Sequence, residues 1–143
     1  MALFPLIELP QTTGAKGQRM PLFREVAWDF KENRPIWRGG EPVYITGGPA
    51  VLVWAWNALH NPRGLHDVFT RDYGLGIQEL EGKPYSEEIR RSEAIRYVRQ
   101  ALEVNPYIVQ VDAIAVDFSG SVLSLTCQIQ TIYGEVEING WTL

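Results

Sequence analysis

Cysteine is almost missing from this chain of 143 residues: Cys127 stands alone. That excludes an internal disulfide and deprives a zinc site of the usual cysteine-rich kind of its thiols, as in a protein of a reducing compartment. Histidine is nearly as scarce. His60 and His66 lie six residues apart, a spacing that does not put two ligands on one helical face, so no metal site and no cofactor is expected. Positive charge is not in excess either: 17 acidic and 13 basic residues are mixed along the sequence, for a net charge of −4. Without a basic stripe there is no electrostatic footprint for a phosphate backbone, and nucleic acid is not an expected partner. Long apolar runs are absent too. The longest, residues 51–56, falls far below the roughly 20 residues that cross a bilayer, so no membrane partner is expected. The opening MALFPLIELP has no basic n-region, carries Glu8 and is broken by Pro5 and Pro10, which is not the shape of a signal peptide.

Recognisable catalytic spacings are also missing. There is no G-x-S-x-G, and Cys127 falls mid-strand on the expected core face, where a nucleophile has no base within reach. Gly47-Gly48-Pro49 resembles an anion cradle only loosely. It lacks the lysine and hydroxyl of a P-loop, Pro49 removes an amide donor, and its ordinary role is the entry turn of a helix.

What the sequence does contain is enough apolar residues, 45% of the chain, for one domain with its own core. Residues 1–22 mix Pro5, Pro10, Gly14, Gly17 and Pro21 with apolar side chains, which favours an extended arm over a helix. Leu3, Phe4, Leu6, Ile7 and Leu9 would be costly to leave in water, so the arm docks either on a partner or on its own domain. Residues 25–45 read as a small meander, REVAWDF, RPIWR and EPVYI, with turns at residues 31–33 and at Gly39-Gly40. AVLVWAWNALH follows, opened by Pro49 and closed by Asn61-Pro62. It leaves almost no polar face, so it is a helix buried on most sides or a buried strand. A second helix is expected to start at Pro84, with Glu87 and Glu88 in its first turn, and to end at Asn105-Pro106. Its apolar stripe is Ile95, Val98, Ala101 and Leu102, with Ile89 one step earlier. Arg90, Arg91, Glu93, Arg96 and Arg99 point elsewhere, to solvent or to an acidic neighbour.

Beyond Pro106 the pattern is strand-like. Ser119-Gly120 is expected to turn a hairpin in which Val116 faces Leu123 and Ile114 faces Leu125, all on one apolar face. The other face of the second strand shows Ser124, Thr126, Gln128 and Gln130, a polar row suited to water or to a partner's surface. The expected class is α+β: a small mixed domain with a largely antiparallel sheet, a C-terminal β-hairpin and two main helices, residues 23–143, behind an extended N-terminal arm, residues 1–22.

The densest functional stretch is NPRGLHDVFTRDYG, residues 61–74. Together with Glu79 and Glu81, its Asp67 and Asp72 supply the paired carboxylates of a cell-wall-degrading glycosidase, the one serious enzyme alternative. A general acid needs a raised pKa, however, and Arg63 and Arg71 nearby would hold both aspartates ionised.

A Trp-Asp-Phe near the start of the folded region, a GGP-led apolar helix, NPRGLHDVFTRDYG, a charged amphipathic helix, an Asn-Pro-Tyr break and a terminal hairpin occur here in one order. Over about residues 22–138 that order resembles the baseplate wedge and sheath-initiator family of contractile phage tails, tail-like bacteriocins and type VI secretion baseplates. Older names for the family invoke lysozyme. The resemblance implies a structural role: a subunit of the wedge around the central tube that templates the first sheath ring by strand addition, assembled in the bacterial cytoplasm and carried in the tail. Implied partners are the tail sheath subunit, other wedge subunits and the tube or hub. Many members carry Glu-Pro-Arg where this chain has Asn105, Pro106 and Tyr107, a departure that suggests a simplified-baseplate branch. On this reading residues 61–74 are a joint, with Arg63 held to Asp67, Arg71 to Asp72, and Tyr73 leading the turn onward. Partner contacts are expected there, at Leu3, Phe4, Leu6 and Ile7 of the arm, at residues 105–107, and at Gln128 and Gln130.

Overall fold

The computed structural model describes residues 11–13, 19–61, 86–119 and 122–143. β1 (Gln11–Thr13) pairs antiparallel with β2 (Arg19–Pro21). Met20 is buried in the core, and the Tyr107 hydroxyl donates to the Pro21 carbonyl at 2.7 Å, so β2 is fastened to the domain.

The expected meander is three short ribbons meeting at one point. β3 (Arg24–Val26) pairs with β8 (Tyr44–Thr46), β4 (Trp28–Asp29) with β5 (Arg34–Pro35), and β6 (Trp37–Arg38) with β7 (Glu41–Pro42). Ala27, Ile36 and Val43 join them through a closed ring of backbone hydrogen bonds. Ala27 N–H donates to Val43, Val43 N–H to Ile36, and Ile36 N–H to Ala27, at 2.7 to 3.0 Å. Each residue donates once and accepts once, which satisfies the backbone where the strands change partners.

The apolar run forms a helix, α1 (Gly48–His60), and not a strand. Pro49 sits in its first turn, where a missing N–H costs nothing, and Asn61 leaves the helix in an extended conformation. Ala50, Val51, Val53, Ala55, Ala58 and Leu59 are at most 2% exposed, so α1 is covered on most sides. α2 (Glu87–Glu103) starts later than Pro84 suggested: Ser86 is its N-cap, accepting the N–H of Ile89 at 3.3 Å. Its buried stripe is Ala94, Tyr97, Val98, Ala101 and Leu102. Ile89, in the first turn, points to solvent at 48% exposure and is not part of it.

β9 (Ile108–Ser119), β10 (Val122–Thr131) and β11 (Gly134–Thr142) form one antiparallel sheet with β10 in the middle. The register corrects the expected one. Leu125 faces Val116, and Leu123 faces Phe118, two residues from the expected partners. A two-residue slip preserves the faces, which is why the apolar side was still read correctly.

On β10 the alternation is unbroken: Leu123, Leu125, Cys127, Ile129 and Thr131 are all buried. The outer strands achieve burial only through bulges. Val111 and Val116 on β9, and Ile138 and Trp141 on β11, are separated by odd numbers of residues, which in a regular strand would put them on opposite faces. Register shifts opposite residues 126–128 of β10 in β9, and 125–127 in β11, insert one extra residue in each strand and return Val116 and Trp141 to the core. Both helices contact the sheet, α2 chiefly at β9 and α1 at β11, and residues from all of them share one core.

Candidate functional site

Residues 105–107, expected at a partner surface, are largely internal. Asn105 is 5% exposed and its Oδ1 accepts the N–H of Tyr107 at 2.8 Å, an Asx turn that ends the α2 connection and starts β9. The Tyr107 ring meets Phe23 edge-on, with centroids 4.7 Å apart, and stacks over Tyr133 at 6.3 Å. The Tyr133 hydroxyl in turn accepts the N–H of Phe23 at 2.9 Å. Burial, and then the neighbouring Tyr133, raise the Tyr107 phenol above its ordinary pKa. This is a joint between the N-terminal ribbons and the sheet, and of the three residues only Pro106 is exposed. Leu3, Phe4, Leu6, Ile7, Arg63, Asp67, Arg71, Asp72 and Tyr73 lie outside the described residues, as do Pro84, His66, Glu79 and Glu81.

Gln128 and Gln130 do lie on the open face of the sheet, Gln128 exposed and Gln130 half-buried. Cross-strand rows there read Gln110, Gln130, Glu135, then Asp112, Gln128, Glu137, then Asp117, Ser124, Thr142. Four carboxylates and no basic residue occupy these rows.

The two sheet edges differ in kind. β9 is bulged within residues 112–115 and again near Val109, and Arg91 reaches from α2 to donate its Nε–H to the Val116 carbonyl at 3.2 Å. Bulges and a covering cation are the devices that blunt an edge against a further strand. β11 pairs regularly with β10 from Gly134 to Ile138, and its irregularity begins only beyond that point. At its far end His60 Nε2 lies 3.1 Å from the Thr142 carbonyl, and the Trp141 indole N–H donates to His60 Nδ1 at 3.0 Å. His60 Nδ1 also lies 2.9 Å from the Trp56 carbonyl, one turn back in α1. The C-terminal end of β11 is therefore tied to α1, while residues 134–138 are left as the straighter edge.

Chemically reactive groups are few among the described residues. Cys127 is 1% exposed, and its burial, with Glu137 adding to it, pushes the thiol up to about 12, so the nucleophilic thiolate is not formed at neutral pH. Glu25 is raised by burial against the lowering effect of the Val26 N–H on its Oε2. No group of three or more His, Cys, Asp or Glu able to hold a metal ion occurs among the described residues. No described helix is long and apolar enough to cross a membrane.

A family model described as contractile injection system sheath initiator matches residues 24–134, from the first ribbon to the start of β11. The chain belongs to that family. It is therefore a structural, sheath-related component of a contractile injection system, carried in a tail-type particle with sheath and baseplate components around it. Comparison with curated proteins gave no match. The match takes in the three ribbons, both helices, β9 and β10, so it spans the elements that position the sheet edges.

Two features of this site had no counterpart in the sequence reading. Edge status is decided by which strands pair, and no local pattern encodes it. Arg91 was recognised only as one of several charged residues on α2, because its carbonyl partner is 25 residues away.

Proposed function

We propose that this chain links the baseplate wedge to the first sheath ring and templates sheath assembly by accepting an extended arm of a sheath subunit as a fourth strand beside β11. The observation that carries this reading is the regular sheet edge at residues 134–138, set against a β9 edge that is bulged and covered by Arg91. Main-chain hydrogen bonds along such an edge give affinity, and the alternating side chains fix register. The family's structural character favours assembly over catalysis. On this reading the protein assembles in the bacterial cytoplasm before the particle leaves, its neighbours are the sheath subunit, other wedge subunits and the tube or hub, and the arm ahead of the core-packed Met20, together with residues 61–74, serves the wedge contacts.

The test is co-purification of the full chain with the sheath subunit and the wedge subunits of the same particle, repeated with a sheath variant lacking its extended arm. Recovery of intact sheath and loss of the armless variant is the expected result. Equal recovery of both would sink strand addition, and recovery of neither sheath nor wedge would sink the assembly role itself.

A further inference from the structure

The hydrogen-bond phase of the sheet decides which residues own the free edge of β11. Leu123 and Leu143 exchange both backbone hydrogen bonds, at 2.9 and 3.4 Å, which fixes that phase at one end of the β10–β11 ladder. The alternation on β10 is unbroken, so every second residue from Leu123 onward bonds toward β11, and Cys127, Ile129 and Thr131 do so with Ile138, Val136 and Gly134. Those three residues of β11 use their N–H and C=O groups on β10. Glu135 and Glu137, between them, direct theirs away from the sheet, so theirs is the main chain that an added strand engages.

The same two residues are exposed, and their side chains stand on the open face, across from Gln130 and Gln128. Behind these on β9 come Gln110 and Asp112, so neither row holds a cation, and neither glutamate forms an ion pair among the described residues. Val136 turns to the other face. It is half-buried against the core, where Gly48 lets the start of α1 come close: a Cβ on Gly48 would lie 3.4 Å from Val136 Cγ1. The edge therefore presents carboxylate, apolar group and carboxylate at successive positions.

In an added strand, the residues opposite Glu135 and Glu137 place their side chains on the open face, and the residue between them faces Val136. Opposite charges directly across a strand pair attract and like charges repel. We infer that the sheath arm accepted at this edge carries a basic, an apolar and a second basic residue in succession, with Lys or Arg facing Glu135 and Glu137 and the apolar side chain against Val136. The pattern also fixes register, because a slip of one residue would bring the basic side chains over Val136. It disfavours a second copy of this chain as the occupant, since β11 paired with β11 would set glutamate against glutamate. This inference rests on the strand-addition reading above and specifies the chemistry of the strand.

The experiment titrates the purified full chain with the purified sheath subunit of the same particle at low and high salt, and with a sheath variant lacking its arm. Three double variants of this chain are compared, Glu135→Gln with Glu137→Gln, Glu135→Lys with Glu137→Lys, and Asp112→Asn with Asp117→Asn, and melting temperature is followed in parallel. The Gln pair is expected to weaken binding about fivefold and to lose most of its salt dependence, and the Lys pair to weaken it by about 30-fold or more. The Asn pair neutralises the same face two strands away and should bind much as the parent does. A Gln pair that binds like the parent, a Lys pair that binds more tightly, or an Asn pair that weakens as much as the Gln pair overturns the inference. So does a sheath arm with no basic-apolar-basic run, a Gln pair whose melting temperature falls along with its affinity, or self-association of the parent in sedimentation that the Lys pair abolishes. If the parent binds no sheath, or binds the armless variant equally well, strand addition falls and this inference with it. If the armless sheath is lost and the Gln pair does no harm, strand addition stands and only the charge pattern is overturned.

Discussion

Asn33 shows how much one turn residue can carry. Its φ of 55° is unusual for a side chain other than glycine, and its Oδ1 accepts two indole N–H groups, from Trp28 at 3.1 Å and from Trp56 at 3.0 Å. One atom thereby ties the second ribbon to α1. Replacement by Ala removes the acceptor for the buried Trp56 and worsens the left-handed backbone, so Asn33→Ala should cost about 2–3 kcal/mol in urea unfolding. Asn33→Asp keeps the acceptor and should cost much less, while Asn33→Gly keeps only the backbone and should fall between them. Equal losses for Gly and Ala would show that the acceptor, and not the backbone, dominates. Glu25 makes a separate residue-scale prediction. Burial raises its folded pKa above the ordinary 4.5, so the folded state favours the protonated carboxyl. Its contribution is fully present below pH 4.5 and is lost as pH rises through the folded value. Glu25→Gln should therefore raise the melting temperature at pH 7 relative to the parent, and the gain should disappear toward pH 3. A gain independent of pH would point to a cause other than burial of the charge.

At the scale of elements, sequence punctuation was informative where the physics is local. Pro49 and Asn61 bracket α1, and the polar and apolar alternation of β10 is regular enough to place Cys127 in the core. Ser86 was missed as the cap of α2 because Pro84 gives the same kind of start signal two residues earlier, and only the hydrogen bond to Ile89 separates them. The bulges were not legible either. An odd interval such as Val111 to Val116 can mean a bulge or a change of face, and the choice is made by the neighbouring strand. Nor did Asn105 to Tyr107 announce an internal joint: an exposed Asn-Pro turn and a buried Asx turn have the same residue types, and Phe23 and Tyr133, which close over Tyr107, are distant in sequence. Ala113 supplies the test of the β9 bulge. It holds φ at 50°, a conformation that costs an L-residue roughly 1–2 kcal/mol, and its side chain is exposed. Ala113→Gly relieves that strain but loosens the unfolded chain, so it should be neutral or stabilising by up to about 1 kcal/mol. Ala113→Val should destabilise by more than that. If Val is tolerated as well as Gly, the left-handed bulge is not what holds Val111 and Val116 on one face.

For the whole molecule, α1 is the part through which the other layers meet. Asn33 fixes the ribbons to its Trp56, the Trp56 ring lies tilted against Phe30 at 4.9 Å and against His60 at 5.4 Å, and His60 meets Trp141 of β11 at 4.6 Å. Trp141 is wholly buried, and its indole N–H reaches His60, so the last strand is locked to the first helix across more than 80 residues of sequence. A core joined in this way should melt as a unit, although the ribbons and the sheet have no strands in common. Trp141→Ala removes the largest fully buried side chain among the described residues and breaks its contact with His60, and should cost about 3–5 kcal/mol. The decisive feature is coincidence: far-UV circular dichroism, which reports both helices and the sheet, and tryptophan fluorescence, dominated by Trp28, Trp37, Trp54 and Trp56 in the variant, should shift to the same lower urea midpoint. A sheet that melts early while the ribbon-side tryptophans keep the parent midpoint would show two separately stable units, and the sheet edge and the ribbons would then not be held in one fixed relation by the fold.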